Sequence, residues 1–288
     1  MSLVISTEKI DTTTLPDTPN RKLGKLEVKG HMNQLVFRDY IKTTADVPEV
    51  FNFWGKRKPF PYYDTGNSDM GNCTRASQAL LAQHMERLEQ RKTIQISRDE
   101  IVRVYVEMSD RLYGGGDNGA YEIDALNCWR NADYTFRDYK NRPVTIQAYA
   151  RINHFNIAEV KKALFLSGAK GIKVCFDLPI AWAWVTNHVW DIPDGQRATG
   201  QYQVGSWGGH SCMAKAVYTK EGLFIPSTWN EPDYFMTWRA FATYASEAYL
   251  VVDDVNVWKK RVDNKVLNLK ALVSDVNNIS DVKINVVA

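Results

Sequence analysis

Cysteine is scarce in this sequence: four residues among 288, Cys73, Cys128, Cys175 and Cys212, far apart and without a CxxC pair. That spacing disfavours a zinc knot or a dense disulfide framework and fits a reducing compartment. An excess of one charge is also lacking, since 36 basic residues face 33 acidic ones for a net +3. No polyanionic partner is therefore demanded. Basic clusters at Arg21, Lys22 and Lys25, at Lys56 to Lys58 and at Lys259, Lys260 and Arg261 are not a stripe interleaved with aromatics, so nucleic acid is not an expected partner. No stretch reaches the ~18 uninterrupted apolar residues of a membrane span. The opening "MSLVISTEKIDTTT" lacks a basic region followed by an apolar run, so no signal peptide is visible.

What is there suffices for one large domain or two small ones, each with a buried core: 44% of residues are hydrophobic. Residues 1–50 are polar, with "TTTLPDTPNRKLGKLEVKG" showing little apolar periodicity, and read as an extended N-terminal arm rather than core. Residues 254–288 mix short apolar runs with Asn, Asp and Lys, and read as a C-terminal extension of peripheral strands or tail suited to assembly. The dense part, 51–253, holds every tryptophan except Trp258.

Within it, Ala76, Leu80, Leu81, Met85 and Leu88 recur at helical spacing and predict a helix from Cys73 to about Lys92. A second helix opens at "SRDEIVRVYVEM", where Ser97 and Glu100 form a capping-box pattern. "IDALNCWRN" suggests a third, and "NIAEVKKALFLSG" a fourth between an Asn156 cap and Gly168. Strands follow: "KGIKVCFDL", two in "HSCMAKAVYTKEGLFIPSTW" joined at "TKEG", and "EAYLVVDD" after a short helix in "TWRAFATYA". Helices first and antiparallel strands second predict an α+β fold of two lobes facing across a cleft.

The chemistry centres on "DMGNCTRASQALL", where Cys73 sits at a helix start and unpaired N–H groups with the helix dipole favour thiolate. Alone, such a cysteine is more often a small buried hydrophobe. His210 in "GSWGGHSCMAKAVY" lies 137 positions on (210 − 73), within the ~130–150 typical of a cysteine–histidine pair in one class of peptidase.

"GNSDMGNCTRASQAL", "GGGDNGAYEIDALNCW", "GSWGGHSCMAKAVYTKEGLFIPSTW" and "TWRAFATYASEAYLVV" occur in an order and spacing that resembles the papain-like cysteine peptidases. The nearest likeness is to a divergent branch common in bacteriophages and bacteria. The resemblance covers about residues 55–253. It implies a papain-like two-lobed fold, with a helical lobe followed by an antiparallel sheet or barrel. It further implies Cys73 as nucleophile, His210 as general base and Asn67 as the oxyanion-hole amide with the N–H of Cys73. Asn118 and Gly119 would form the turn along which substrate lies, and Trp229 would shield the histidine. The reaction implied is amide hydrolysis through an acyl-enzyme, with a polypeptide substrate, without metal or organic cofactor.

The sequence departs from the family where an Asn should hold the histidine: "PSTWN" offers Ser227 there, and Asn230 stands where glycine is usual. Ser227 is the nominal orienting residue. Met70 replaces a cysteine that secreted relatives use, which with the missing signal peptide implies a cytoplasmic setting, host cytoplasm or virion if phage-encoded. Thr74 replaces the aromatic that usually follows the nucleophile. Cys128, Cys175 and Cys212 read as core residues. His188, with Asp191 and Asp194 nearby in sequence, is the rival base and reads as a structural or cleft-rim residue. Two alternatives stand: a virion or assembly protein on a peptidase fold with weak or lost activity, contacting neighbouring subunits, and an acyltransferase. Because the arm lacks long amphipathic helices, it is not expected to act as an inhibitory prosegment.

Overall fold

A computed structural model describes residues 21–28, 35–42, 46–54, 61–89, 95–138, 140–168, 170–254 and 266–279. In chain order the elements are β1 (Phe51–Asn52), α1 (Cys73–Glu89), α2 (Arg98–Tyr113), α3 (Glu122–Arg130), β2 (Phe136–Arg137), β3 (Pro143–Val144), β4 (Ala148–Arg151), α4 (Ile157–Leu166) and β5 (Ile172–Leu178). They continue with β6 (Val189–Trp190), β7 (Gly208–Ala214), β8 (Val217–Tyr218), β9 (Gly222–Ile225), β10 (Tyr234–Thr237), α5 (Trp238–Tyr244), β11 (Ala245–Val252) and α6 (Leu269–Ile279).

Local chemistry sets the helix starts as expected. Ser97 accepts from the N–H of Glu100 at 3.2 Å, and Asn156 from the N–H of Glu159 at 3.2 Å. Gly114, at φ 76°, ends α2 in the left-handed conformation that glycine adopts without penalty. The "TKEG" turn joins β8 to β9 as predicted, with the backbone of Thr219 and Gly222 closed at 2.7 Å.

The helical lobe buries one face of α1, α2 and α3 around Ala76, Leu80, Leu81, Met85, Ile101 and Trp129. The sheet lobe holds a four-stranded sheet in the order β4-β11-β5-β7 and a five-stranded sheet in the order β1-β8-β9-β10-β6. The four-stranded sheet is antiparallel throughout, whereas β10 and β6 pair in parallel. Side chains from both sheets, α4 and α5 make the larger core. The α+β, two-lobed architecture expected from the sequence is what forms. Helix α1 packs along β7, so the lobes meet where Cys73 and His210 lie.

The two ends differ from expectation. Phe37 and Tyr40, in a short 3-10 helix of the arm, are buried in the sheet-lobe core. Leu269, Leu272, Val273 and Val276 bury one stripe of α6 in the same core, so part of the C-terminal extension is a helix, not a strand or tail. Tyr40 donates to Asp275 at 2.8 Å and ties the ends together. Their apolar residues at helical spacing override a polar average composition.

Candidate active site

Cys73 is the first residue of α1 and is buried. The turn before it is pinned from the helical lobe: Asp117 accepts from the N–H of Gly71 at 2.9 Å and from the Tyr105 hydroxyl at 2.8 Å. Asn72 donates to the carbonyl of Thr65 at 3.0 Å. On the other side, the N–H of Ser211 donates to the Cys73 sulfur at 3.3 Å. The nucleophile candidate therefore lies against the peptide linking His210 to Ser211 on β7.

His210 is buried, and Trp229 stacks on its ring with centroids 4.3 Å apart and planes 13° apart. Its Nε2 lies 3.2 Å from the hydroxyl of Thr228, which donates to Asn67 Oδ1 at 2.6 Å. Since that hydroxyl proton goes to Asn67, the contact with His210 is satisfied when Nε2 carries the ring proton and donates. Nδ1 is then the basic nitrogen, and it is buried without a hydrogen-bond partner. No hydrogen bond joins the ring to the Cys73 sulfur among the described residues.

Burial sets the charge state of both groups. It pushes the Cys73 thiol up to about 11, against the opposing pull of the Ser211 N–H and the Lys173 ammonium. Burial and then Lys173 push the His210 imidazole down to about 3. At neutral pH the pair is thiol and neutral imidazole, not thiolate and imidazolium.

The structure moves some predicted roles. Ser227 does not reach the histidine: its hydroxyl accepts from the N–H of Trp229 at 3.0 Å, and Thr228 makes the contact instead. Successive side chains of an extended segment point opposite ways, so only one of the two can face the ring. Asn67 donates to the carbonyl of Met70 at 2.9 Å, so its amide nitrogen is engaged. Asn118 is exposed and donates to the carbonyl of Gly115 at 3.3 Å, away from the cleft strand described next. Gly119, at φ 78°, does lie at the cleft. His188 packs edge-on against Tyr234 at 5.0 Å.

The cleft is filled by residues 21–26 of the chain itself. Lys22 donates its N–H to the carbonyl of Asn67 at 3.2 Å, and its own carbonyl accepts from Trp229 Nε1 at 3.0 Å. Gly24 accepts from the N–H of Ala120 at 2.7 Å, and Leu26 returns an N–H to the Ala120 carbonyl at 3.0 Å, a parallel bridge centred on Lys25. Lys25 donates to the carbonyl of Gly209 at 3.0 Å. At Gly24 the segment passes so close to Gly71 that a methyl group would collide with backbone, and its N–H points at the Cys73 sulfur. Arg21 pairs with Glu231 at 2.9 Å and lies 5.8 Å from the Trp229 ring centre.

The arm, expected to be no inhibitory prosegment because it lacks amphipathic helices, nonetheless runs through the cleft. An extended strand with glycine at the narrowest point closes the cleft without any amphipathic helix. Ala120, the residue that carries the bridge, was missed because Asn118 and Gly119 looked like the turn residues.

A second missed group lies beneath the nucleophile. Lys173, fully buried on β5, bonds the hydroxyls of Ser77 and Ser211 and stands 3.3 Å from Glu122. Glu122 accepts from Ser211 at 2.6 Å and from the Cys175 thiol at 3.4 Å. Ser77 donates to the carbonyl of Cys73 at 2.6 Å. The available signal was a lysine at the centre of the otherwise apolar "GIKVCF", which demands a buried carboxylate.

No protein-family profile matches the chain, and no curated protein is similar to it in sequence. Solved structures do match. Xylellain, a cysteine protease from Xylella fastidiosa, superposes with a TM-score of 0.60 at 17% identity, over 83% of this chain and 99% of that one. The cysteine protease and lectin-like domains of Cwp84 from Clostridium difficile give 0.55 at 11% identity, over 81% and 57%. The ragweed pollen cysteine protease Amb a 11, in its proform, gives 0.52 at 9% identity, over 78% and 72%. With the two lobes meeting at Cys73 and His210, these likenesses show that the chain has the papain-like fold of cysteine proteases.

Proposed function

We propose that this chain is a papain-like thiol peptidase held latent by its own N-terminal segment. The observation that carries the reading is the placement of Cys73 at a helix start against β7, beside a His210 whose Nδ1 is basic and unpartnered. With residues 21–26 withdrawn, water reaches both groups and the burial that keeps them neutral is relieved. The Cys73 proton then passes to His210 Nδ1, and the thiolate attacks a peptide carbonyl carbon, forming a C–S bond. His210 gives that proton to the leaving amine as the C–N bond breaks. Water, deprotonated by His210, then releases the acyl group and restores the thiol. The oxyanion would be met by the N–H of Cys73 and by Asn67 once its amide leaves Met70. Thr228 holds the ring in the tautomer this sequence needs, the role first given to Ser227. Trp229 covers the ring, and Gly119 with Ala120 offers the edge along which a substrate backbone lies. The proton bookkeeping closes without a metal or organic cofactor.

A second reading, a phage or bacterial virion or assembly protein that keeps the fold without activity, draws support from the un-ionised pair and the missing Asn. Gly24→Val in the full chain separates the two, because a side chain there cannot seat beside Gly71. The latent-peptidase reading expects hydrolysis of a denatured protein substrate by Gly24→Val, none by Gly24→Val/Cys73→Ala, and little by the unaltered chain. A folded Gly24→Val protein that hydrolyses nothing would favour the assembly reading.

A further inference from the structure

The basic cluster Arg21, Lys22 and Lys25 has no role in the chemistry above, yet Lys25 is among the most enclosed side chains of the cleft segment. Its side chain is 0% exposed, with the ammonium 3.0 Å from Ser246 Oγ, 3.3 Å from Asp177 and 3.5 Å from Glu247. The pocket is built rather than fortuitous. Asp177 lies on β5 directly across from Gly209, the residue whose carbonyl binds the Lys25 backbone. On β11 the register slips between Ala245 and Glu247, and Ser246 is the extra residue. Such a bulge re-aims side chains, and here Ser246 and Glu247 both reach the Lys25 ammonium. Glu247 is 4% exposed, and its other oxygen accepts from the Tyr249 hydroxyl at 2.6 Å. Asp177, at 36%, opens the pocket to solvent. Beside it, burial keeps His154 neutral at pH 7, so it adds no positive charge.

Two carboxylates thus face one ammonium, and that ammonium belongs to a segment that must leave for the nucleophile to act. Its departure leaves Glu247, 4% exposed while the segment is seated, without its cation, and breaking such a pair carries a cost that water entering the cleft only partly offsets. A substrate that brings its own cation removes that cost, and one with an apolar side chain does not.

We infer that the pocket of Asp177, Ser246 and Glu247 is a substrate subsite selecting a lysine or arginine side chain, occupied in the latent chain by Lys25. The inference rests on the peptidase reading, deepening it to a substrate class, and two readouts keep the two apart. The first needs no catalysis: in Lys25→Ala the vacated space matches n-propylammonium. That cation should raise the melting temperature of Lys25→Ala at constant ionic strength, while 1-propanol, and propylammonium with the unaltered chain, should not. Lys25→Ala/Asp177→Asn, changed at the partly exposed carboxylate, should show a smaller rise. The second readout uses Gly24→Val and peptides that differ only at one position, lysine, arginine or norleucine. The expected preference in kcat/KM for the basic peptides is on the order of tenfold, the size of a close charge pair, and it collapses with Glu247→Gln or Asp177→Asn. Hydrolysis with no basic preference at any position overturns the pocket and leaves the peptidase standing. Hydrolysis of no peptide, with Cys73 unreactive, overturns the peptidase and with it the subsite. Absence of propylammonium rescue in Lys25→Ala overturns the pocket whatever the peptides do.

Discussion

Two buried polar groups meet at adjacent residues of β7, and they are built in opposite ways. At Ser211 the hydroxyl joins Lys173, Glu122 and Ser77, a buried cluster in which every residue has a partner, although Glu122 Oε1 meets only the Lys173 ammonium, at 3.3 Å. At His210 the ring is neutral, bonded on one side only, with Nδ1 left over. A buried network of several bonds fixes a structure, and here it fixes the carbonyl of Cys73 and the strand beneath it. A group with an unused lone pair beside a thiol is what proton transfer needs, and such a group is tolerable in a resting protein only while it stays uncharged.

The contrast can be broken most severely at the Lys173–Glu122 side. Lys173→Met alone leaves Glu122 unpaired and should cost about 3–5 kcal/mol of stability in urea denaturation, whereas Lys173→Met/Glu122→Met should recover most of that loss. If the double variant were as unstable as the single, the cluster would not be a charge pair.

Acid breaks the neutral side. Burial holds His84 and His210 at about 3, below the ~6.5 of an unfolded histidine. Depressed values mean the unfolded chain binds the protons, so the stability is full above ~6.5 and is lost as pH falls toward 3. Each of the two should subtract about 2 kcal/mol between pH 7 and pH 5, and His210→Phe should shed one such contribution in denaturant titrations at the two pH values.

The smallest effects sharpen the account of the ring. In a Gly24→Val background, Thr228→Val should lower kcat roughly tenfold with about 1 kcal/mol of stability lost, because one hydrogen bond to the ring and one to Asn67 disappear. Ser227→Ala should change kcat by less than about twofold, since its hydroxyl only accepts from Trp229. The reverse order would return the orienting role to Ser227.

How much of this was legible in the sequence depended on whether a feature is local. The helix starts at Ser97 and Asn156 announce themselves within four residues, and the strand at "KGIKVCFDL" by its apolar run. Cys73 and His210 were legible as a pair through flanking glycines and spacing. The choice between Ser227 and Thr228 was not, because it turns on which of two neighbouring side chains an extended segment points inward. Lys173 and Glu122 lie 51 positions apart (173 − 122), and only the fold brings them together. The seat of residues 21–26 left no side-chain periodicity, as much of its fit is backbone against the backbone of Gly71, Ala120 and Gly209, and the partners of Arg21 and Lys25 lie more than 150 positions away. Leu269, Leu272, Val273 and Val276 did carry helical spacing, hidden among Asn and Asp.

The central claim is that the arm keeps an intact nucleophile neutral and covered. The rate of Cys73 alkylation by iodoacetamide, followed against pH in the unaltered chain and in Gly24→Val, tests it directly. The unaltered chain should react slowly until the pH approaches the ~11 at which its thiol ionises, while Gly24→Val should react at least about tenfold faster at pH 7, with Cys128, Cys175 and Cys212 still protected. Equal rates and equal pH profiles in the two proteins, both folded, would contradict it.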